Sequence, residues 1–340
     1  MAVTIQQIAE ATGVSRGTVD RALNDRGRID PAVAEKIRQT ASELGYVKKE
    51  RKKRAQVQKR KIGIVTQLSG ADFMQSVHAG IVTAKKELEE LGFEVLVCEN
   101  DSVEEKDQLR SIEILEKEGI QGLAIMPVDA EKVRRKLNVL SVDRQIPVVT
   151  FNSDIAGTGR CCFVGMDNKK SGYAAAGLLE MLTRGTGKIL IITGYFSSVV
   201  NNARVDGFVQ MLKERVPALE IAGVQASFNR EEEVERIIEN AMMGISGISG
   251  IFVVSGGQKG ISRAFEKLRI EHRPYVVIYD ETPDNVALLL NGTADFLIDQ
   301  NGFEQGYRPL RILADMLMNG TQPEAEFLYT GIDIKTKYNI

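Results

Sequence analysis

The spacing of apolar residues divides the chain into a short helical segment and a longer segment in which strands and helices alternate. In residues 1–46 the apolar positions recur at helical spacing, beginning with Ile5, Ile8 and Ala9 on one face. From residue 61 onward, apolar runs and helical stretches alternate at intervals of roughly 25 residues. The pattern predicts an all-α N-terminal domain followed by an α/β body.

Three short helices are predicted in residues 1–46 from their start and stop signals. Thr4 is suited to cap the first helix, with Gln7 at the capping-box position, and Gly13 ends it. Ser15 is suited to cap the second helix, and Asp30, followed by a proline, the third. The glycine-bearing turn between the first two helices predicts a helix-turn-helix, whose second helix can enter a DNA major groove.

The body is predicted to contain two doubly wound subdomains. Two series of β-α units follow one another, which is typical of parallel sheets with helices on both faces. In such sheets ligands bind beyond the carboxyl ends of the strands, here in the crevice between the subdomains. The predicted strands are 62–67, 93–99, 122–128, 147–151, 188–194, 221–227, 250–255, 275–280 and 296–299.

Polar and aromatic side chains follow these strands in a mixture suited to a polyhydroxylated solute. Amides, a carboxylate and a guanidinium provide paired donors and acceptors, and phenylalanine rings can cover the apolar face of a sugar. Structural alternatives remain: Arg204 could pair with Asp206, Asp280 could cap a helix, and the phenylalanines could be core residues. The candidate ligand-binding residues are Gln67, Phe73, Asn152, Arg204, Phe228, Ser255, Asp280 and Gln300.

Charge is distributed unevenly along the chain. The 340 residues have a formal net charge of −2, but residues 1–61 carry 15 Lys and Arg against 7 Asp and Glu. The remaining residues carry 29 Lys and Arg against 39 Asp and Glu. A basic head on an acidic body indicates that only the head meets a polyanion such as DNA.

The run VKKERKKRAQVQKRK, residues 47–61, contains nine of these basic residues. Like charges at this density repel one another and favour an extended segment. One interpretation is a solvated linker. The interpretation we favour is a linker that also neutralises DNA phosphates, which predicts a steep salt dependence of DNA binding.

Several function classes are disfavoured by what the sequence lacks. Three cysteines, two of them adjacent, make no disulfide framework and fit a reducing compartment. Metal-ligand spacings are missing, so no metal or other cofactor is expected. Neither a secretory signal nor a membrane span is visible, because the longest uncharged run, 241–258, is broken by glycines. We therefore expect a cytoplasmic protein with no membrane partner.

Two motifs are similar to catalytic signatures but fail on spacing. G-T-G-K at 185–188 lacks the Walker glycine and the hydroxyl after its lysine. G-I-S-G, twice in 244–250, lacks the final spacing of a nucleophile elbow. An enzyme is therefore not expected.

The first 46 residues resemble the DNA-binding head of the lactose-repressor family. The matching elements are T-I-x-x-I-A, G-V-S-x-x-T-V, R-x-L-N and the closing L-G-Y. The resemblance implies binding to operator DNA, with Arg16, Gly17 and Arg21 at base-reading positions and Ser15 and Thr18 on phosphates. The candidate DNA-binding residues are Thr4, Ser15, Arg16, Gly17, Thr18, Asp20, Arg21, Asn24, Lys49 and Lys52.

The head departs from this family in three places. Gly17 offers no side chain for reading a base. Asp20 could accept from a cytosine amine or orient Arg16 or Arg21, and we favour the orienting role. Where the family carries a hinge helix that wedges into the minor groove, this chain has Lys49, Lys52 and an alanine. We therefore expect no wedge and little DNA bending.

The body, from residue 61 to the final G-I-D-I-K-T-K-Y-N-I, resembles the sugar-binding fold of the same family and of periplasmic ribose-type binding proteins. The resemblance places the family's hydroxyl-binding residues at Arg204, Asp280 and Gln300, and its stacking aromatics at Phe73 and Phe228. The usual Asp-Arg pair after the fourth strand is replaced by Asn152-Ser153. The usual Asn-Asp after the sixth is replaced by Ser255-Gly256. These replacements argue against ribose itself.

The resemblance also predicts the domain organisation. A head at 1–46 and a linker at 47–61 precede an effector-binding domain at 62–340. Subdomain one is expected at about 62–165 and 296–323, and subdomain two at about 166–295 and 324–340. Three crossovers between them would form a hinge, whose closure on a ligand can change the spacing of two heads in a homodimer.

The sequence thus predicts a DNA-binding transcriptional regulator, expected to be a repressor, controlled by a sugar, polyol or sugar phosphate. The alternative is the solute-binding receptor of a sugar transport system. Such a receptor requires export and no DNA reader, so the head and the missing signal count against it.

Overall fold

The computed structural model describes residues 3–24, 27, 29–46 and 60–340. The chain separates into two compact units, Met1–Gln58 and Lys59–Ile340, which we call the head and the body. Residues 47–59, which make up most of the predicted linker, lie outside the described part of the chain. The last two residues of the predicted linker, Arg60 and Lys61, belong instead to the first strand of the body, because they pair with the neighbouring strand at Phe93 and Glu94.

The head contains the predicted helix-turn-helix. The Thr4 hydroxyl accepts from the Gln7 backbone N–H and the Gln7 side chain accepts from the Thr4 N–H, which completes the capping box. Gly13 ends the first helix with φ +71°, a backbone conformation that glycine adopts without strain. Ile8 and Val19 are fully buried between the helices. The three helices of the head are α1 (Ile5–Thr12), α2 (Arg16–Leu23) and α3 (Pro31–Glu43).

The two subdomains of the body are called lobe one and lobe two. The body begins with a series of β-α units that forms most of lobe one. Its strands at 122–125, 148–151 and 162–165 are buried on both faces, as expected for apolar runs in a parallel sheet covered by helices. A π-helical turn at Val139–Asp143 continues the third helix of the series. The elements are β1 (Arg60–Val65), α4 (Met74–Glu90), β2 (Phe93–Cys98), α5 (Glu105–Lys117), β3 (Gly122–Ile125), α6 (Glu131–Asn138), β4 (Val148–Phe151) and β5 (Cys162–Gly165).

A second series of the same kind forms lobe two. Its central strands are again apolar and buried, with Phe208 stacked on Phe252 at a centroid distance of 4.6 Å in the core. The elements are α7 (Asn168–Thr183), β6 (Gly187–Thr193), α8 (Val199–Arg215), β7 (Leu219–Ala226), α9 (Glu231–Gly244), β8 (Ile248–Val253), α10 (Lys259–Leu268), β9 (Tyr275–Tyr279), α11 (Pro283–Leu290) and β10 (Phe296–Asp299).

The chain ends with α12 (Gly302–Asn319), β11 (Phe327–Tyr329) and β12 (Asp333–Lys335). Each lobe holds a six-stranded sheet, in the order β2-β1-β3-β4-β5-β11 in lobe one and β7-β6-β8-β9-β10-β12 in lobe two. The described pairs are parallel except β10 with β12, which is antiparallel. This architecture confirms the predicted fold class of two doubly wound α/β subdomains after an all-α head.

Two boundaries of the subdomains differ from the sequence prediction. Phe296–Asp299 does not return to lobe one, because β10 pairs in parallel with β9 and extends the sheet of lobe two. The chain crosses only after Asp299, and α12 packs in lobe one. Residues 327–329 do not belong to lobe two, because β11 pairs with β5. The chain crosses again between β11 and β12. Strands of three or four residues carry too little pattern to reveal which sheet they join.

Helices cross very closely in both lobes, and glycines permit it. A Cβ at Gly306 of α12 would overlap the carbonyl oxygen of Val77 in α4. A Cβ at Gly172 of α7 would overlap the carbonyl oxygen of Arg204 in α8, and one at Gly207 would overlap that of Lys169. These contacts leave no room for a side chain. The α7–α8 crossing therefore fixes the position of Arg204 relative to the sheet of lobe two.

Candidate functional site

Helix α2 and its cap present an exposed polar face of the head, which runs from Ser15 to Arg21. Ser15, Arg16, Gly17 and Arg21 are exposed, and Thr18 is partly buried. Ser15 caps the helix by accepting from the Thr18 backbone N–H, and the two hydroxyl oxygens are 2.9 Å apart. The N–H groups at such a helix start attract phosphate oxygens, so this end of α2 is suited to lie against a DNA backbone.

Two side chains on α2 are held by hydrogen bonds within the helix. The Arg21 Nε donates to the Gly17 carbonyl oxygen at 3.1 Å, which leaves the terminal nitrogens of the guanidinium for other partners. The Asp20 carboxylate accepts from the Asn24 Nδ2 at 3.0 Å, and the same amide donates to the Asp20 carbonyl. Among the described residues, the hydrogen bonds of the Asp20 carboxylate therefore go to Asn24 and not to Arg16 or Arg21, so the predicted orientation of an arginine by Asp20 is not observed.

The remaining DNA-binding candidates are a helix cap, two lysines of the basic run and a glycine. Thr4 acts as the cap of α1, and its exposed hydroxyl also donates to the Gln7 Oε1 at 3.1 Å. Lys49 and Lys52 lie outside the described residues. A Cβ at Gly17 would meet open space, with the Ser15 hydroxyl 3.8 Å away, so no packing constraint requires glycine there.

A cavity of about 530 Å³ lies between the two lobes of the body. Its walls are formed by residues just beyond the carboxyl ends of strands in both sheets, where the fold was expected to bind a ligand. Of the eight ligand-binding candidates, seven line it: Gln67, Phe73, Asn152, Arg204, Ser255, Asp280 and Gln300.

Arg204 is held in lobe two from several sides. The relative exposure of the residue is 3%. The Nε donates to the Asn168 Oδ1 and the Nη1 donates to the Val254 carbonyl, both at 2.9 Å. The guanidinium carbon lies 4.0 Å from the centroid of the Tyr279 ring, a cation–π contact. The Nη2 is buried and has no hydrogen-bond partner within the described part of the chain, so a donor is available where Arg204 lines the cavity.

Asp280 follows β9 and adopts φ +74°, which turns the chain sharply at the cavity wall. Its Oδ1 accepts from the Gln300 Nε2 at 2.6 Å. Burial raises the pKa of the Asp280 carboxyl, and the Arg204 guanidinium and the Gln300 hydrogen bond oppose that rise. Thr282, and not Asp280, caps the helix that follows. A desolvated carboxylate and an unpartnered guanidinium nitrogen thus line the same cavity.

Lobe one contributes amide and hydroxyl groups to the opposite wall. Asn152 follows β4 with φ +60° and donates from Nδ2 to the Gln305 Oε1 at 2.9 Å. Gln67 donates from Nε2 to the Ser153 hydroxyl at 3.3 Å, and its buried Oε1 has no hydrogen-bond partner among the residues that the structure describes. An acceptor from lobe one therefore lies in the same cavity as the donor of Arg204 in lobe two.

The two aromatic candidates differ in position. Phe73 lines the cavity and also packs against the core of lobe one. Phe228 does not line the cavity, contrary to the prediction, and 47% of it is exposed. Its ring lies edge-on to Tyr195 at a centroid distance of 5.6 Å, and Tyr195 is the residue at the cavity wall. Phe228 and Asn229 both have positive φ, and this local turn sets the direction of the Phe228 ring.

Several lining residues were not identified from the sequence. Tyr195 follows β6 and so carried the same strand-end signal as the other candidates. Asn201 lies one helical turn before Arg204, at a spacing that places both on one face of α8. Asn285 donates from Nδ2 to the carbonyl oxygens of Tyr279 and Asp280, both at 2.9 Å. Asn285 lies inside a helix, where no sequence signal distinguishes it.

The charged residues that line the cavity are mostly acidic. Arg204 is the only Lys or Arg among the described lining residues. Asp129 is 2.8 Å from Arg134, Asp154 makes two hydrogen bonds to Arg160, and Glu231 is 2.6 Å from Arg263. Basic residues outside the cavity thus partner three of its acidic side chains, while Asp280 accepts from an amide.

Among the described residues, no group of three or more potential metal ligands is found. Within the same part of the chain, each helix is too short or too polar to span a bilayer.

Two family models match the chain, one for each unit. The model described as bacterial regulatory proteins, lacI family, matches residues 4–49. The model described as a periplasmic binding protein domain matches residues 62–322, which is most of the chain. The first match covers the head and the second covers both lobes around the cavity.

Proteins with a similar sequence include transcriptional regulators. The HTH-type transcriptional regulator DegA of Bacillus subtilis is 25% identical over 245 residues, which cover 70% of each chain. The maltose regulon regulatory protein MalI of Escherichia coli is 29% identical over 214 residues, 62% of this chain and 59% of MalI. PtxS of Pseudomonas aeruginosa is 28% identical over 200 residues, 56% of this chain and 54% of PtxS. The alignments with the last two span less than two thirds of those proteins.

Solved structures with the same fold include solute-binding proteins and also a putative LacI transcriptional regulator from Bacteroides fragilis, which aligns with a TM-score of 0.71 and 21% identity, over 83% of this chain and 98% of that one. The sugar-binding protein of a sugar ABC transporter from Bacillus halodurans aligns with a TM-score of 0.75 and 22% identity, over 82% of this chain and 98% of that one. The arabinose-binding protein AraP of Geobacillus stearothermophilus aligns with a TM-score of 0.71 and 22% identity, over 83% and 98%. At this identity the likeness concerns the fold of the body.

Proposed function

Because the chain belongs to the periplasmic binding protein domain family over residues 62–322 and its head matches the model of the lacI family of bacterial regulatory proteins over residues 4–49, we propose that it is a repressor whose operator affinity is controlled by a neutral sugar or polyol bound between the lobes. The observation that carries the proposal is the union, in one chain, of a helix-turn-helix head with a cleft in which Arg204 and Asp280 offer a buried donor and acceptor.

The pairing of Arg204 with Asp280 favours hydroxyl groups as ligands. A hydroxyl accepts a hydrogen bond through its oxygen and donates one through its hydrogen, so it can satisfy both side chains. The unpartnered Gln67 Oε1 in lobe one provides a further acceptor for a ligand donor. Leaving these groups unpaired in a closed cleft is costly, which makes a polyhydroxylated ligand a strong stabiliser of the closed state.

The charge of the cleft argues against a phosphorylated or carboxylated effector. A phosphate ester carries about −1.5 to −2 charge at neutral pH and is stabilised by cationic partners. Among the described lining residues the cleft offers one guanidinium, and Asp280 lies in the same cavity. We therefore propose uncharged sugars and polyols as effectors in preference to the sugar phosphates that the sequence left open.

A homodimer is the form in which such a regulator acts. Two heads related by a two-fold axis fit two operator half-sites, and a ligand that favours one arrangement of the lobes changes operator affinity by its differential affinity for the two states. We place this function in the bacterial cytoplasm, where the operator is, and assign the protein no catalytic activity.

The transport-receptor alternative has one observation in its favour, the fold shared with sugar-binding proteins. The head counts against it, because a receptor does not need a helix-turn-helix. Binding of a duplex selected from random DNA distinguishes the two functions, since a receptor alone would not select a sequence.

The proposal is tested with that selected duplex and a panel of D-arabinose, D-xylose, D-galactose, myo-inositol and D-glucose 6-phosphate. An uncharged member is expected to raise the melting temperature and change duplex affinity measured by fluorescence anisotropy, whereas the phosphate has no effect. If only the phosphate acts, the assigned ligand class is wrong. If the protein selects no sequence from random DNA, the proposed function as a DNA-binding regulator is wrong.

Arg204→Ala is expected to weaken binding of the active sugar by roughly 10- to 100-fold, because charged hydrogen bonds contribute about 1.5–3 kcal/mol. Duplex affinity without sugar is expected to stay unchanged. The matched control is Arg236→Ala, which removes an exposed arginine of the same lobe that pairs with Glu233. Loss of duplex binding with retained sugar binding would contradict the role of Arg204.

A further inference from the structure

Gln305 is a buried polar residue that lies beside the cleft without lining it. It is located in the first turns of α12, directly after the chain crosses from lobe two to lobe one, and its relative exposure is 0%. A fully buried glutamine requires partners for its amide oxygen and nitrogen, because an unpaired buried amide is unfavourable. Its partners are two residues that the cleft uses.

The Gln305 amide connects the two cleft residues Asn152 and Gln300. Its Oε1 accepts from the Asn152 Nδ2 at 2.9 Å. Its Nε2 donates to the Gln300 carbonyl oxygen at 2.8 Å and approaches the Gln300 Oε1 at 3.3 Å. Gln300 in turn donates from Nε2 to the Asp280 Oδ1 at 2.6 Å. A continuous chain of hydrogen bonds therefore runs from Asp280 in lobe two to Asn152 in lobe one.

The same chain is attached to the crossovers that join the lobes. The Gln300 carbonyl oxygen also accepts from the Thr330 hydroxyl at 2.9 Å. Thr330 follows β11 in the last crossover, and its backbone N–H donates to the Gly165 carbonyl at the first crossover, also at 2.9 Å. A rotation of one lobe against the other must therefore change the geometry around Gln300.

We propose that Gln305 is a positioning residue that couples the ligand-binding groups of the two lobes through the hinge. The inference rests on the proposed function, because it concerns the same cleft. Gln305 fixes the direction of the Asn152 amide according to the position of Gln300, so the wall of lobe one adjusts when the hinge moves. Without Gln305, Asn152 and Gln300 contribute to binding independently.

The test is a double-mutant cycle on the full-length protein. Asn152→Ala, Gln300→Ala and the double variant are prepared with Gln305 and again with Gln305→Met, a substitution of similar size without hydrogen-bonding groups. The measured quantity is the urea midpoint of the body without ligand. With Gln305, the midpoint shift of the double variant is expected to differ from the sum of the single shifts. With Gln305→Met, the shifts are expected to add.

Additive shifts in both backgrounds would overturn the coupling role, since they would make Gln305 a buried residue of purely local importance. A control for general destabilisation is Thr183→Val, which removes a buried hydroxyl bonded to the Leu179 carbonyl in lobe two. In that background the non-additivity between Asn152 and Gln300 is expected to persist. Its disappearance would attribute the effect to lost stability and also contradict the proposal.

A second arm titrates the same variants calorimetrically with D-arabinose, D-xylose, D-galactose and myo-inositol. Gln305→Met is expected to lower the affinity for the sugar that binds by about 10-fold, and Thr183→Val is expected to lower it by less than about 2-fold. Equal losses in the two variants would oppose a positioning role. If no panel member binds the unmodified protein, the ligand class proposed above fails, while the urea cycle still decides on Gln305.

Discussion

Asp280 combines a functional position with an unfavourable environment. It is a carboxyl group in the cleft that lacks a paired cation within the described hydrogen bonds and ion pairs, and burial raises its pKa. Groups of this kind cluster at binding sites, because their cost in stability is offset when a ligand satisfies them. The nearby Arg204 has the complementary feature, an unpartnered nitrogen in the same cavity.

The pH dependence of stability follows from the direction of this pKa shift. A carboxyl whose pKa is raised on folding binds more protons in the folded state, so its contribution to stability falls as pH rises from the ordinary aspartate pKa through the raised value. Asp280→Asn does not titrate. We expect the melting temperature of Asp280→Asn, relative to the unmodified protein, to increase through this interval and to stay level above it.

The measurement is a series of thermal denaturation curves across the acidic and neutral range without ligand. Asp206→Asn, which changes an exposed carboxyl on α8, serves as the control for the loss of one negative charge from the same lobe. A relative melting temperature of Asp280→Asn that falls with rising pH would show that the Asp280 charge stabilises the fold. The same variant is expected to lose sugar binding, because an amide cannot replace both acceptor oxygens.

At the level of elements, the close crossing of α7 and α8 places Arg204, the arginine proposed to bind the ligand. Gly172 and Gly207 allow the two helix backbones to touch at Arg204 and Lys169. Lobe one has the corresponding arrangement in α4 and α12, where Gly80 and Gly306 face Phe303 and Val77. In both lobes the glycine contact lies close to the residues that reach the cleft or hinge, so helix spacing and site geometry are fixed together.

Gly172→Ala is expected to destabilise the body by about 1–3 kcal/mol and to weaken sugar binding, because the added Cβ forces α8, with Arg204, away from α7. The control lies on the same helix. Gly177→Ala adds a Cβ whose nearest neighbour is the Met211 Cε at 3.9 Å, and we expect it to stabilise by roughly 0.5–1 kcal/mol through helix propensity. Urea unfolding and calorimetric titration measure both effects; equal destabilisation by the two variants would contradict this explanation.

For the whole molecule, the separation of charge between head and body sets how the protein meets DNA. The excess of basic residues in 1–61 favours phosphate contacts, and the excess of acidic residues in the body disfavours them. The basic run extends beyond the described helices of the head. Lys61 is part of the run in sequence, but its Nζ lies 3.3 Å from the Glu118 Oε2 and forms an ion pair within the body.

Replacing Lys49 and Lys52 together by alanine is expected to reduce the slope of log affinity against log salt by about 2, since each phosphate contact contributes about 0.9. Lys61→Ala is the matched control and is expected to leave the slope unchanged. Anisotropy titrations of the selected duplex over a range of salt concentrations measure both slopes. Equal slopes for the unmodified protein and the double variant would identify the run as a solvated linker, the other interpretation of the sequence.

Local signals were sufficient to predict the head and the order of elements in the body. The capping box of Thr4 and Gln7, the turn at Gly13 and the cap at Ser15 each involve residues within a few positions of one another. The alternation of apolar runs and helices determined the doubly wound class. Strand ends determined most of the cleft, because carboxyl ends of parallel strands meet at one edge whatever the details of packing.

Tertiary structure alone decided the features that depend on residues distant in sequence. The sheet to which Phe296–Asp299 belongs follows from its pairing with β9, and the direction of Phe228 follows from a local turn packed against Tyr195. Gln305 could not be found from sequence, since its partner Asn152 is 153 positions away and nothing near it marks a cleft residue. Short-range patterns report local conformation, whereas such contacts exist only once the lobes and crossovers have assembled.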